Sequence, residues 1–413
     1  MDLINLSSIL ITMAACFMYL NFRFIKLPMT IGLALLSLLF SVILLLAGRF
    51  NPLVGDIILS YSSGIDFNVA LMHGMLSFLL FAGSLHVNLD DLYSQGALIS
   101  VLATIGVVTS TFLFGSAFYG LAKVLGMDID YIYCLLFGSL ISPTDPISVL
   151  GILKEAKAPK SLETKICGES LFNDGVGVVV FIVILQLATG SGTLSPFSIG
   201  LLFFEEALGG VVFGLLLGWT FYKLLKSVDD YALEIMLTIS LVMGGYSLAT
   251  YFHLSGPLAM VVAGLFIGNH GKRFAMSDAT HTKLFSFWEL IDEFLNAVLF
   301  VLIGIVILQV SIEITFVLAG IISIPIVLSV RFISISIPIK FFKIKKTFTN
   351  GVEKIMTWGG LRGGISIALA LSLPDSIPSE TKNLILTATY LIVIFSIVVQ
   401  GLTIKSLIQK NIN

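Results

Sequence analysis

Long apolar runs separated by short polar breaks recur along all 413 residues of this chain. Runs long enough to cross a hydrocarbon layer of about 30 Å as helices lie at roughly 3–21, 27–47, 66–87, 97–122, 131–152, 166–188, 196–222, 231–251, 254–269, 284–309, 312–339, 355–373 and 383–404. The pattern predicts an all-α polytopic membrane protein with about thirteen transmembrane helices, of which 254–269 is the shortest. The connections are short and polar, so 1–413 reads as a single transmembrane domain with no soluble domain appended. Leu3 to Leu20 lacks the basic flank and small-residue cleavage site of a secretory signal, and reads as the first retained span.

Composition agrees with this picture. Hydrophobic residues make up 57% of the chain and charged residues 12%, and the mean hydropathy is +1.03. No soluble domain could cover that much apolar surface. A formal net charge of -2 argues against a nucleic-acid partner. Cys16, Cys134 and Cys167 lie in apolar runs without metal-ligand spacing or a disulfide framework, and no cofactor is implied.

Lysines and arginines test the span count. With the N-terminus outside, eighteen of the 23 basic residues fall in inward connections, while Arg49, Lys123 and Lys382 fall outside. That asymmetry is what the positive-inside rule requires, and it predicts a cytoplasmic C-terminus in a cell inner or plasma membrane. The run from Lys340 to Lys346 reads as a topology anchor beside anionic lipid. Two basic residues remain inside spans, Arg331 and Arg362, as natural partners for buried carboxylates.

Those carboxylates cluster. Ser142-Pro143-Thr144-Asp145-Pro146 cannot be an uninterrupted helix, because each proline lacks an amide and disfavours helical geometry in the residue before it. The span is expected to unwind there, leaving free amides and carbonyls at membrane depth around Asp145. Such irregular backbone is tolerated only where it is buried in protein or lines a wet cavity. Glu169-Ser170-Leu171-Phe172-Asn173-Asp174 reads as helical, with Glu169 and Asn173 on one face and Ser170 and Asp174 on the next. Thr144, Asp145, Ser170 and Asp174 supply hard oxygen ligands suited to an alkali cation, with no His or Cys beside them for zinc or copper.

A second interruption is expected at Trp358-Gly359-Gly360-Leu361-Arg362-Gly363-Gly364. One broken span near each end, in opposite orientations, is the layout of an inverted repeat. Other polar positions carry less chemistry. His73 and His253 read as hydrogen-bonded helix contacts, and Glu205, Glu206, Glu289, Asp292 and Glu293 as residues near span ends facing headgroups or a water funnel.

At these residues the chain resembles the sodium/proton exchanger superfamily, in its electroneutral monovalent cation/proton antiporter branch of bacteria and archaea. The resemblance rests on Thr144-Asp145-Pro146, Glu169 to Asp174, Phe287-Trp288-Glu289 to Asn296 followed by Leu299-Phe300, Arg331, and Gly359-Gly360-Leu361-Arg362-Gly363. It implies an inverted-repeat antiporter fold with two crossing broken helices, and a homodimer. Core helices at about 97–188 and 312–404 would move against dimerisation helices at about 3–87 and 196–309. Asp174 would be the residue where cation and proton compete, lined by Asp145 and Thr144, with Ser170 a further ligand. Asn173 would stand where electrogenic relatives carry a second Asp. Glu169 with Arg362 would form the core ion pair, and Arg331 would steady the core through a carboxylate elsewhere. Some relatives carry an acid on the third span, where this chain has Phe81-Ala82-Gly83-Ser84-Leu85-His86.

The implied activity is exchange of Na+ or K+, with Li+ a further candidate, for H+, one for one, in a secondary transporter rather than an enzyme. It would serve pH homeostasis. The competing classes need other residues. An organic-anion transporter or a proton-coupled solute carrier could use a similar inverted repeat, the former with positive half-helix ends or an exposed Arg at the site. A channel needs no proton-competing carboxylate, and an intramembrane protease needs a nucleophile–base set or an aspartyl pair in a Gly-x-Gly-Asp setting, which this chain lacks.

Overall fold

A computed structural model of the chain describes residues 3–51, 75–145, 147–190, 196–310, 313–343 and 348–412. His73, Pro146, Lys345, Lys346 and the first half of the expected span at 66–87 lie outside the described residues. Among the described residues all regular structure is helical. The helices are α1 (Leu3–Leu20), α2 (Met29–Phe50), α3 (Leu76–Leu85), α4 (Leu89–Val101), α5 (Val107–Val124), α6 (Tyr131–Ile141), α7 (Ile147–Glu155), α8 (Lys160–Ala188) and α9 (Pro196–Lys226). They continue with α10 (Tyr231–Tyr251), α11 (Gly256–Phe266), α12 (Asp278–Ile305), α13 (Ile314–Phe342), α14 (Val352–Trp358), α15 (Gly364–Leu371), α16 (Ser379–Phe395) and α17 (Gly401–Ile412).

Nine helical runs among the described residues are long and apolar enough to cross a membrane. Two of them, Leu89–Val124 and Ser379–Asn411, join two helices through a π-helical turn. Four expected spans fall outside this set. The segment at 66–87 is only partly described; that at 254–269 is short; those at 131–152 and 355–373 are broken into α6–α7 and α14–α15.

Turns between helices are tied by side chains, because backbone groups freed at helix ends need partners. Asn21 donates to the Leu27 carbonyl at 2.9 Å and accepts from the Leu27 amide at 3.3 Å, closing the turn into α2. Asn269 accepts from the Leu89 amide at 2.9 Å and donates to the Val87 carbonyl at 3.0 Å, fastening the α3–α4 connection to the end of α11. Ion pairs Asp90–Arg273 at 2.6 Å and Asp91–Lys160 at 2.7 Å put three connections at one end of the bundle. These are connections that the lysine pattern assigns to the same side.

The larger apolar core runs through α5, α6, α8, α13, α15 and α16. A second gathers α3, α10, α11 and the first half of α12 around the fully buried Trp288, whose indole donates to Thr238 Oγ1 at 3.0 Å. Helix α9 faces outward with Phe204, Leu208, Val212, Leu215, Leu216 and Trp219 exposed, as hydrocarbon-facing residues should be. Close approach in the core depends on small residues. Helix α6 lies against α5 so tightly that a Cβ at Gly138 would overlap the Thr111 carbonyl, and one at Gly115 would sit 2.9 Å from the Cys134 carbonyl. Backbone cannot yield as a side chain can, so Gly138→Val should cost about 1–3 kcal/mol or more through overpacking. Unfolding in detergent checks this, with Gly120→Val as control, since nothing lies within 4 Å of a Cβ there.

Candidate ion-binding site

The two expected interruptions are present, and they meet. Residues 142–145 are unwound between α6 and α7, and 359–363 separate α14 from α15. The Asp145 amide donates to the Leu361 carbonyl at 2.8 Å, so one unwound segment crosses the other in direct backbone contact. A Cβ at Gly363 would lie 2.7 Å from Asp145 Cβ and 2.8 Å from Asp145 Oδ2, which is why a glycine stands at the crossing.

Unwinding frees polar groups that the interior must satisfy. The Thr144 amide donates to Asn173 Oδ1 at 3.1 Å. The Arg362 amide donates to Ser396 Oγ at 2.8 Å; Ser396 in turn donates to Gln400 Oε1 at 2.7 Å, and Gln400 Nε2 to the Trp358 carbonyl at 2.9 Å. Both breaks are thus held by polar side chains on unbroken helices, α8 for the first and the α16–α17 run for the second.

Helix α8 supplies the rest. Ser170 Oγ lies 2.8 Å from Thr144 Oγ1, and Asn173 Nδ2 donates to Thr144 Oγ1 at 2.8 Å. Asn173 therefore grips Thr144 with both ends of its amide, and neither Asn173 nor Ser170 lines the cavity beside them. Asp174 does. With Pro143, Thr144, half-buried Asp145, Gly363 and Ser366 it surrounds a cavity of about 60 Å3 roofed by Leu76, Leu79, Leu80 and Leu299. Asp174 is 3% exposed and, among the described residues, has no hydrogen-bond or ion-pair partner. A water position needs about 10–15 Å3 on this measure, so the cavity admits a partly dehydrated ion with a few oxygen partners.

The core ion pair differs from the expected one. Both terminal nitrogens of Arg331 donate to Glu169, Nη1 to Oε1 and Nη2 to Oε2, the latter at 2.7 Å. Arg362 is not bonded to Glu169; its Nη1 donates to the Gly360 carbonyl at 3.0 Å. Two local features decide this. Arg331 passes beside Gly360, where a Cβ would sit 2.7 Å from its Nε, so the glycine leaves the lane open. Arg362 lies within the unwound segment and folds back on that segment's own carbonyl.

Ser366 escaped the sequence reading, and Asp292 was read there only as a residue near a span end. Ser366, in the first turn of α15, is 1% exposed and lines the cavity; only its place just past the glycine run could have drawn notice. Asp292 lies within electrostatic reach of Asp145, and its Oδ1 and that of Asn296, one turn on, are buried without hydrogen-bond partners among the described residues. Ala82 is fully buried, while its neighbour Gly83 reaches the cavity wall. Glu205, Glu206 and His253 line a separate open cavity.

Crossed, unwound helices with carboxylates around a small cavity define a secondary transporter of the broken-helix antiporter class. The chain matches the family model for the transmembrane sodium/hydrogen exchanger over residues 10–410 and belongs to that family, whose members are antiporters and not enzymes. It is 45% identical to the Na(+)/H(+) antiporter NhaP of Pseudomonas aeruginosa across 99% of this chain and 97% of that one. Identity to the Na(+)/H(+) antiporter NhaH of Halobacillus dabanensis is 34%, across 94% and 93%. The fold is similar to that of the sodium proton antiporter MjNhaP1 of Methanocaldococcus jannaschii, with a TM-score of 0.75, full coverage of both chains and 20% identity.

The observed pairing makes a specific expectation. Glu169→Ala strands the Arg331 guanidinium, and breaking a buried pair from one side costs about 3–5 kcal/mol. A double-mutant cycle read by unfolding in detergent should give a larger coupling for Glu169 with Arg331 than for Glu169 with Arg362. The reverse order would mean that the pairing seen here is not the one that holds the core.

Proposed function

We propose that this chain exchanges Na+ for H+, the two ions competing for Asp174. The observation that carries the reading is a buried carboxylate with no partner among the described residues, facing a small cavity at the crossing of two unwound helices. A proton on Asp174 removes the charge that attracts the cation, and a bound cation expels the proton. Asp145 and Thr144 line the same cavity, and Ser170 acts beside them through the Thr144 hydroxyl.

Charge accounting supports one ion of each kind per cycle. Around the crossing itself, Asp145, Glu169 and Asp174 stand against Arg331 and Arg362, an excess of one negative charge when all are ionised, while the buried Lys165 lies over the Phe348 ring. One alkali cation or one proton makes it neutral. A charge carried through hydrocarbon is costly, so the loaded core crosses and the empty one does not. Asn173 adds no second titrating group, and its amide is committed to Thr144. Exchange is therefore electroneutral. Sodium is favoured by the names of the relatives; lithium and potassium are the comparisons.

The moving unit in this reading is the core of about 97–188 and 312–404, sliding against 3–87 and 196–309 within a homodimer. The protein sits in a cell inner or plasma membrane with its C-terminus cytoplasmic and serves pH homeostasis. An organic-anion reading is disfavoured because both buried arginines are turned to Glu169 and to backbone rather than to the cavity.

Antiport in proteoliposomes with a trapped pH-sensitive dye, comparing Na+, Li+ and K+ across pH, tests the reading. Asp174→Asn should abolish exchange with every cation while the protein stays folded. Clamping the membrane potential should leave wild-type turnover unchanged. Retained exchange in the variant removes Asp174 from the central role, and turnover that follows the potential rejects the one-for-one stoichiometry.

A further inference from the structure

Hydroxyls of serine and threonine within a helix commonly donate to the carbonyl three or four residues earlier. Ser142 does so to Gly138, Ser323 to Ala319 and Thr111 to Val107, each at 2.7–2.9 Å. Ser366 has no such outlet. The residues three and four before it, Gly363 and Arg362, precede the helix, and their carbonyls belong to the unwound segment. Its Oγ is buried and, among the described residues, has no hydrogen-bond partner, although it lies in the wall of the cavity that holds Asp174. A buried hydroxyl left unsatisfied costs free energy, so a group aimed into a polar cavity without a protein partner points to a ligand there.

We propose that Ser366 is a direct, uncharged oxygen ligand of the transported alkali cation, supplied by the second broken helix. The first broken helix and α8 bring the carboxylates, and the Thr144 hydroxyl is already engaged by Ser170 and Asn173. Ser366 is therefore the cavity hydroxyl with both lone pairs available. A neutral oxygen replaces part of the hydration shell of a metal cation but does not take up a proton at physiological pH. It thereby strengthens the cation's side of the competition without altering the proton's side. It also joins the two broken helices through the ion itself, so loading draws them together.

The inference rests on competition at Asp174, and the test separates the two. If Na+ and H+ share a site, the apparent KM for Na+ rises as pH falls, doubling where pH equals the site's proton affinity. Ser366→Ala should raise KM for Na+ by about tenfold at every pH, the loss of one oxygen contact to a charged partner, with maximal velocity and the doubling pH unchanged. Ser366→Thr, which restores the hydroxyl, should recover most of the affinity. An unchanged KM overturns the proposal. So does a doubling pH shifted upward, which would make Ser366 a hydrogen-bond donor to Asp174 instead. A fall in maximal velocity with KM unchanged, in Ala and Thr variants alike, would assign it to packing. If the wild-type KM does not respond to pH at all, the shared site fails rather than Ser366.

Discussion

A backbone hydrogen bond from the Asp145 amide to the Leu361 carbonyl ties together the two unwound segments. In lipid there is no water to satisfy freed amides and carbonyls, so each interruption needs partners supplied by protein. The breaks satisfy one another in part, and Asn173, Ser396 and Gln400 bond further freed groups. Gly363 lets the backbones touch, and Asp145 is thereby held at the cavity wall. Remove the crossing, and both the irregular backbone and the position of the carboxylates lose their physical basis.

Buried charge is arranged around that crossing in two tiers. Glu169 and Arg331 satisfy each other and join α8 to α13. Asp174, one face away on the same helix, has no partner among the described residues. The same low-dielectric interior that makes the ion pair rigid makes the lone carboxylate expensive to leave bare. Helix α8 thus carries scaffold and site within six residues, separated by which side each residue faces rather than by distance along the chain.

Much of this was legible from sequence. Hydropathy located the helices, proline chemistry located the first break, and four glycines around an arginine marked the second. Those signals are local: a run of apolar residues, or a proline without an amide, acts on its own neighbourhood wherever the chain goes. Asp145 and Asp174 stood out because charge in an apolar run needs a reason. Asp292 was discounted because its nearness to a span end hid its proximity to Asp145, and Ser366 carried almost no signal at all.

By itself the sequence determined that the chain enters a membrane, where its helices run, where two of them break and which side chains are too polar for oil. Only the tertiary structure decided who meets whom. Glu169 chose Arg331 over Arg362, because a glycine opens one path and an unwound backbone turns the other arginine onto its own carbonyl. Asn173 became a clamp on Thr144, and Ser366 came to face Asp174 across a shared cavity. Pairing between residues far apart along the chain depends on relative placement of helices to within a few ångströms, and no local pattern in the sequence encodes that distance.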